Sequence, residues 1–182
     1  MTVYSMFQPK MHIIPNPEEI DYTVMRRNII AIDYGSDRKT AILLISKTRE
    51  NAYVVTRSIR PNKTAVSDIT NLVSRLYQEF ISLGAPIDAL YVDPSAKALK
   101  EEFDKNGIPY ENAVNAHNIG IPKIANMLSL NRLFILETCE DLINEIYGYR
   151  RKNENSDEVV KVNDHFCDAL RYGVTTDEIR NA

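Results

Sequence analysis

An excess of positive charge is missing from this sequence: 22 Lys and Arg stand against 25 Asp and Glu, for a net charge of −3. Domains that grip nucleic acid strongly on their own usually carry a surplus of Lys and Arg. Any polyanion must therefore be held weakly here, or with help from another domain. Cysteine is scarce as well. Cys139 and Cys167 are the only two, and they fall in neither a CxxC nor a zinc-type spacing, so buried, reduced thiols are expected. No apolar run approaches the ~20 residues that span a bilayer. Met1 to Pro15 lacks a basic-then-apolar signal pattern, and the expectation is a soluble, intracellular protein. The six glycines (35, 84, 107, 120, 148 and 173) are isolated, and no GxxxxGK[ST] loop occurs. The backbone-amide cradle that nucleotide phosphates need is thereby missing.

What is there fits one domain. The chain has 182 residues and is 44% hydrophobic, enough to bury roughly 70% of its surface on folding. Residues 1–27 read as an irregular lead-in, because Pro9, Pro15 and Pro17 interrupt helices and central strands. Three strands are expected over Asn28 to Ile32, Thr40 to Ser46 and Ala52 to Ile59, joined as an antiparallel meander. Val66 to Leu83 has helical apolar spacing, with Gly84 as its C′ residue. Ile87 to Val92 reads as a strand, followed by a helix closed by Gly107. Tyr110 to Val114 and Arg132 to Leu136 read as strands, and Pro122 to Leu130 and Glu137 to Tyr147 as helices. Arg150 to Lys161 is a polar loop or hairpin, and a last helix runs from Asn163 or Asp164 through Tyr172. The order predicts a mixed α/β fold.

Acidic residues fall at telling places. Asp33 ends the first strand, Asp93 ends a later one, and Asp164, His165 and Asp168 open the last helix. Function in open α/β sheets gathers where strands end. Spacings of i,i+3 and i,i+4 put the three helix residues on one side. Each acid also has an ordinary structural use, as a turn residue at Asp33 or a helix cap at Asp93 and Asp164. Taken together, carboxylates from distant parts of a chain repel unless a cation joins them, and hard oxygen donors select Mg²⁺ or Mn²⁺. Two such ions roughly 4 Å apart suit phosphodiester cleavage.

The closing segment Lys161-Val162-Asn163-Asp164-His165-Phe166-Cys167-Asp168-Ala169-Leu170-Arg171-Tyr172 resembles the last motif of phage large terminase nuclease domains. Ala31-Ile32-Asp33-Tyr34-Gly35 is similar to their first acidic strand, and Tyr91-Val92-Asp93-Pro94-Ser95-Ala96 to their second. Asn115 to Ile124, the helix after it, and the lead-in Tyr4 to Lys10 add weaker likeness. The resemblance implies an RNase H-like fold: a three-stranded antiparallel meander plus parallel strands in one mixed sheet flanked by helices. It implies a metal-dependent endonuclease that cuts concatemeric viral DNA during packaging, with Asp33, Asp93 and Asp168 holding two divalent cations, Mg²⁺ or Mn²⁺. His165 would be a further ligand or would orient water, and Asp164 would cap the helix or assist from behind the ligands. By the same resemblance, 1–27 follows an ATPase part missing from this chain, 28–182 is the nuclease domain, and the portal and small terminase subunit are partners. The setting would be the bacterial host cytoplasm during phage assembly.

Arg38, Lys39, Lys97, Lys100 and Lys123 are candidate phosphate contacts on double-stranded DNA. Nothing resembles a base-reading motif, so little sequence specificity is expected. Arg150 to Glu158 could act as a flap over the site, or simply connect two helices. Rival readings are a resolvase or RNase H proper, an actin-like ATPase, and a non-catalytic docking module. The ATPase reading suffers from the missing glycine-rich loops.

Overall fold

A computed structural model describes residues 1–15, 19–35 and 39–182. Its seven strands are β1 (Ile13–Ile14), β2 (Arg27–Asp33), β3 (Ala41–Lys47), β4 (Tyr53–Ile59), β5 (Ala89–Val92), β6 (Glu111–Asn112) and β7 (Leu133–Leu136). They form one sheet in the order β1-β7-β4-β3-β2-β5-β6. The meander β2-β3-β4 is antiparallel, as its short polar turns predict. The outer pairs β2-β5, β5-β6, β4-β7 and β7-β1 are parallel.

Both faces of the sheet are covered, which is why its central strands are continuous apolar runs instead of alternating ones. Ile30, Ile32, Ile42, Leu44, Leu90 and Val92 point to one side. There they meet α2 (Val66–Ser82) and α3 (Lys97–Lys105) through Ile69, Val73, Phe80, Leu99 and Phe103. Ile29, Ala31, Leu43, Ile45 and Tyr91 point to the other. That side carries α4 (His117–Ser129), α5 (Glu140–Gly148) and a continuous helical run from His165 to Arg180. The run consists of α6 (His165–Leu170), a π turn over Arg171–Thr175, and α7 (Thr176–Arg180). Gly84 ends α2 at φ +74, as a C′ glycine should.

Two expectations change. The lead-in is not irregular throughout: α1 (Pro9–His12) precedes β1, which pairs with β7 at the sheet edge. Val3, Tyr4 and Phe7 are buried in the main core, so apolar burial overrides the proline signals. Pro17 lies outside the described residues. The helix expected from Pro122 instead starts at His117 and holds Pro122 inside. Pro122 cannot donate to the Asn118 carbonyl, but both residues are exposed and water can serve that group. The polar stretch 150–161 is a hairpin bridged at Arg151 and Val159. Cys139 and Cys167 are buried and unbridged.

The π turn presses its backbone against the sheet at Gly173. A Cβ there would stand 2.6 Å from Ile45 Cδ1 and 2.9 Å from Ala31 Cβ. Gly173→Ala should therefore destabilise the protein by about 1–3 kcal/mol, the usual cost of overpacking. Urea unfolding is the measurement, and an unchanged midpoint would show that the helix can lift off at no cost.

Candidate active site

Adjacent parallel strands create the site. β2 and β5 pair with Ile29 opposite Ala89 and Ile32 opposite Val92. One step further, Asp33 and Asp93 leave the sheet side by side at the same end. The helical run that opens at His165 packs over β2 and β3 on one face. Its first turns bring His165 and Asp168 down to the same end of β2.

The bonds are specific. His165 Nδ1 lies 3.0 Å from Asp33 Oδ2. The Tyr172 hydroxyl donates to Asp93 Oδ2 at 2.7 Å, and the Ser95 amide donates to Asp93 Oδ1 at 2.8 Å. Arg171, only 1% exposed, donates to Asp168 Oδ1 at 2.7 Å and to the Asn115 carbonyl at 3.0 Å. Its other neighbour is His117 Nε2 at 3.2 Å. Lys161 Nζ faces the same ring nitrogen at 3.3 Å. Two cationic donors on one nitrogen require it to be the acceptor, so His117 is neutral with its proton on Nδ1. Burial, with Arg171 and Lys161 beside it, lowers its pKa to about 4.

Burial raises the Asp33 carboxyl, and Asp93 and Asp164 push the same way against His165. Asp168 is raised to about 6 by burial, with Arg171 opposing and Asp164 and Asp33 adding. Asp93 moves down: burial opposes, but the Ser95 amide and the Tyr172 hydroxyl outweigh it. The bond to Asp33 raises His165. Acids that burial and one another drive toward the neutral form are the donor set that a hard cation would relieve. As placed, no three His, Cys, Asp or Glu side chains among the described residues converge closely enough to hold a metal ion together. Each acid is bonded to a donor of its own instead, and the donor set fits a divalent cation in its chemistry.

The expected residues separate into groups. Asp33, Asp93, His165 and Asp168 come together. Asp164 lies beside them, 3% exposed, and its charge acts on both Asp33 and Asp168. Its side chain makes no capping bond, so the cap expectation is corrected. The first turn of α6 instead takes its acceptor from Glu145 of α5, whose Oε1 receives the Phe166 and Cys167 amides at 2.8 and 3.1 Å. Among the candidate DNA contacts, Arg38 lies outside the described residues. Lys39 is exposed in the loop after β2, and Lys97 is exposed in the first turn of α3. Lys100 is committed internally, its Nζ donating to the Pro94 carbonyl at 2.7 Å and to Asn112 at 3.1 Å. Lys123 is half-buried within α4.

Sequence reasoning missed Glu145, Arg171, Tyr172 and His117 as parts of the site. The spacing of Arg171 from Asp168 (i,i+3) was available as a signal. Glu145 gave none, because a lone Glu on an amphipathic helix reads as part of its solvated face. It is 7% exposed, and burial raises its carboxyl to about 7 from an ordinary 4.5. A carboxyl raised in the folded state contributes stability that is present below about pH 4.5 and lost as pH rises through about 7. Glu145→Gln should match the parent near pH 4 and exceed it at pH 8 by on the order of 3 kcal/mol. Parallel melts at the two pH values check this, and identical pH dependence of the two proteins would refute it.

No family model matches the chain, and no curated protein matches it. Solved structures do. The large terminase of a thermophilic bacteriophage, solved in complex with ATP-gamma-S, is similar at a TM-score of 0.83 and 22% identity, over 96% of this chain and 45% of that one. This chain thus spans less than half the length of that terminase. The P22 large terminase nuclease domain is similar at a TM-score of 0.73 and 18% identity, covering 97% of this chain and 92% of that one. The nuclease domain of the SPP1 large terminase, solved with bound Mn, is similar at a TM-score of 0.70 and 14% identity over 99% of both chains. With its seven-stranded mixed sheet and flanking helices, the chain has the RNase H-like fold of phage large terminase nuclease domains.

Proposed function

We propose that this chain is a divalent-metal-dependent DNA endonuclease domain of a phage large terminase, cutting concatemeric viral DNA with little sequence specificity. The observation that carries the reading is Asp33 and Asp93 leaving parallel neighbours at one level, beneath the helix that brings His165 onto Asp33 and Asp168 close behind. Asp33, Asp93 and Asp168 would hold the cations. Mn bound to the SPP1 nuclease domain supports a divalent ion here. A pair of such ions activates water and stabilises the leaving oxygen of a phosphodiester.

The chain's own groups prepare that site. Tyr172 holds one oxygen of Asp93, and Arg171 one oxygen of Asp168. In the neutral His165 ring, with Nδ1–H donated to Asp33, Nε2 is the atom left with a lone pair. It is therefore the atom that can take a proton from water or serve as a further ligand. Asp164 assists through its charge. Lys39 and Lys97, both exposed, are candidate phosphate contacts. With a net charge of −3, the grip on double-stranded DNA would come largely from elsewhere in a longer protein. In that reading residues 1–27 join an ATPase part to the nuclease of 28–182. The portal and small subunit are then its partners, in the host cytoplasm during assembly.

Plasmid nicking with Mn²⁺, Mg²⁺ or chelator tests the reading. Cutting is expected with either ion and none with chelator. Metal-independent or absent cutting would overturn it. Preference for four-way junctions or RNA–DNA hybrids over plain duplex would move the assignment to another RNase H-like nuclease.

A further inference from the structure

We propose that Glu145 is a positioning residue for the nuclease site: from α5 it clamps the first turn of α6 and thereby sets where His165 and Asp168 stand. The inference rests on the metal-site reading of those two residues. A helix start leaves backbone N–H groups without intrahelical acceptors, and the residue before it normally supplies one. Here that residue is Asp164, and its side chain makes no such bond. Glu145 Oε1 replaces it, accepting from Phe166 at 2.8 Å and Cys167 at 3.1 Å. These two amides flank neither solvent nor a loop; they lie between His165 and Asp168 in the chain. A shift of this turn moves both side chains at once.

The clamp is itself held. Arg60 NH2 lies 3.5 Å from Glu145 Oε2, and its guanidinium stacks over the Phe166 ring at 4.9 Å. Arg60 therefore grips both partners of the contact. Oε2 is buried without a hydrogen bond. Glu145 is one of the residues lining a cavity of about 510 Å³, together with Arg60, Asn144, Val160, Val162 and Asn163, on the hairpin side of α5. Truncating Glu145 to Ala would extend that cavity into the place of the buried carboxylate, which provides a direct test: a small carboxylate from solution can replace a deleted one.

Mn²⁺ titration calorimetry and plasmid-nicking kinetics should be run on the parent, Glu145→Ala, Glu145→Asp, Glu145→Gln and Asp168→Asn. Glu145→Gln keeps an amide oxygen at the same reach and should stay within about twofold of the parent, whereas Glu145→Ala should lose roughly tenfold in Mn²⁺ affinity, as residues supporting metal ligands do. Its kcat should fall while KM for DNA holds. Glu145→Asp keeps the charge but falls one methylene short, and should show the same loss even if the Ala variant does not fold. Acetate should restore part of the loss in Glu145→Ala at an ionic strength where chloride does not. Parent-like Mn²⁺ affinity and kcat in both Glu145→Ala and Glu145→Asp would overturn the proposal. So would a Gln variant as impaired as Ala with no acetate effect. If the parent binds no Mn²⁺, or Asp168→Asn binds it equally well, the metal-site reading itself fails, and the clamp with it.

Discussion

Asn in place of Asp33, Asp93 or Asp168 should lower plasmid cleavage roughly a thousandfold, the scale expected when a group acting in the transition state is removed. The substitution leaves shape almost unchanged and removes one negative charge. At Asp33 the remaining amide oxygen can still face His165 Nδ1, 3.0 Å away in the parent. At Asp168 it can still accept from Arg171. Burial already pushes the Asp33 carboxyl toward the neutral form, so loss of its charge should cost little stability. Asp168→Asn leaves the buried Arg171 guanidinium with a neutral acceptor, so this variant should melt lower than the parent while keeping the hydrogen bond that lets it fold. Asp93 differs, because the Ser95 amide and Tyr172 hydroxyl favour its charge. Its Asn variant should lose about 1 kcal/mol of stability, one hydrogen bond's worth. Initial nicking rates with Mn²⁺, beside circular-dichroism melts, separate lost chemistry from lost fold. Retained cutting in all three folded variants would refute the assignment of the acids.

Asp177→Ala should cost the fold about 3 kcal/mol, the scale for removing a buried carboxylate from its charged and hydrogen-bonded partners. Asp177 is fully buried on α7. Arg27 Nε donates to its Oδ1 at 2.9 Å, the Tyr91 hydroxyl to Oδ1 at 2.7 Å, and the Tyr53 hydroxyl to Oδ2 at 2.8 Å. One carboxylate thereby ties three different strands, β2, β4 and β5, to the C-terminal helix. Its removal leaves two buried tyrosine hydroxyls without their acceptor and a partly exposed guanidinium without its counter-charge. Burial beside this carboxylate raises both tyrosines, so ionisation of either would strain the same knot. The cluster sits at the start of β2 and the active site at its end, about six residues and ~20 Å apart. Mn²⁺ binding to the folded variant should consequently be unaffected. Urea unfolding measures the loss, and a change below about 1 kcal/mol would mean that water or a neighbour takes over the acceptor role.

Much of the sheet was legible beforehand. The stretch 28–32 carries four consecutive apolar residues, 29–32, just ahead of the acid Asp33, the pattern of a strand covered on both faces, and β2 extends the stretch by one residue at each end. The meander follows from polar turns of a few residues. Lead-in contacts were not legible, because Val3, Tyr4 and Phe7 lie among prolines and polar residues that locally favour irregular chain. Only the rest of the core rewards their burial. Pro122 misled for a similar reason: its local preference for a helix start gave way to α4 packing through Gly120, Ile121 and Ile124.

The site divides along the same line. Amino-acid order alone determined that Asp33 and Asp93 terminate apolar strands and that His165 and Asp168 lie one turn apart on a helix, because these relations are local and follow from backbone periodicity. Tertiary structure alone decided that β5 lies beside β2 in a register that levels the two acids, and that His165 reaches Asp33 across 132 positions of chain. It also decided that Glu145 faces two backbone amides instead of water. Those outcomes depend on which surfaces are removed from solvent together, and burial, not residue type, sets whether a carboxylate is an ordinary surface charge or a poised one.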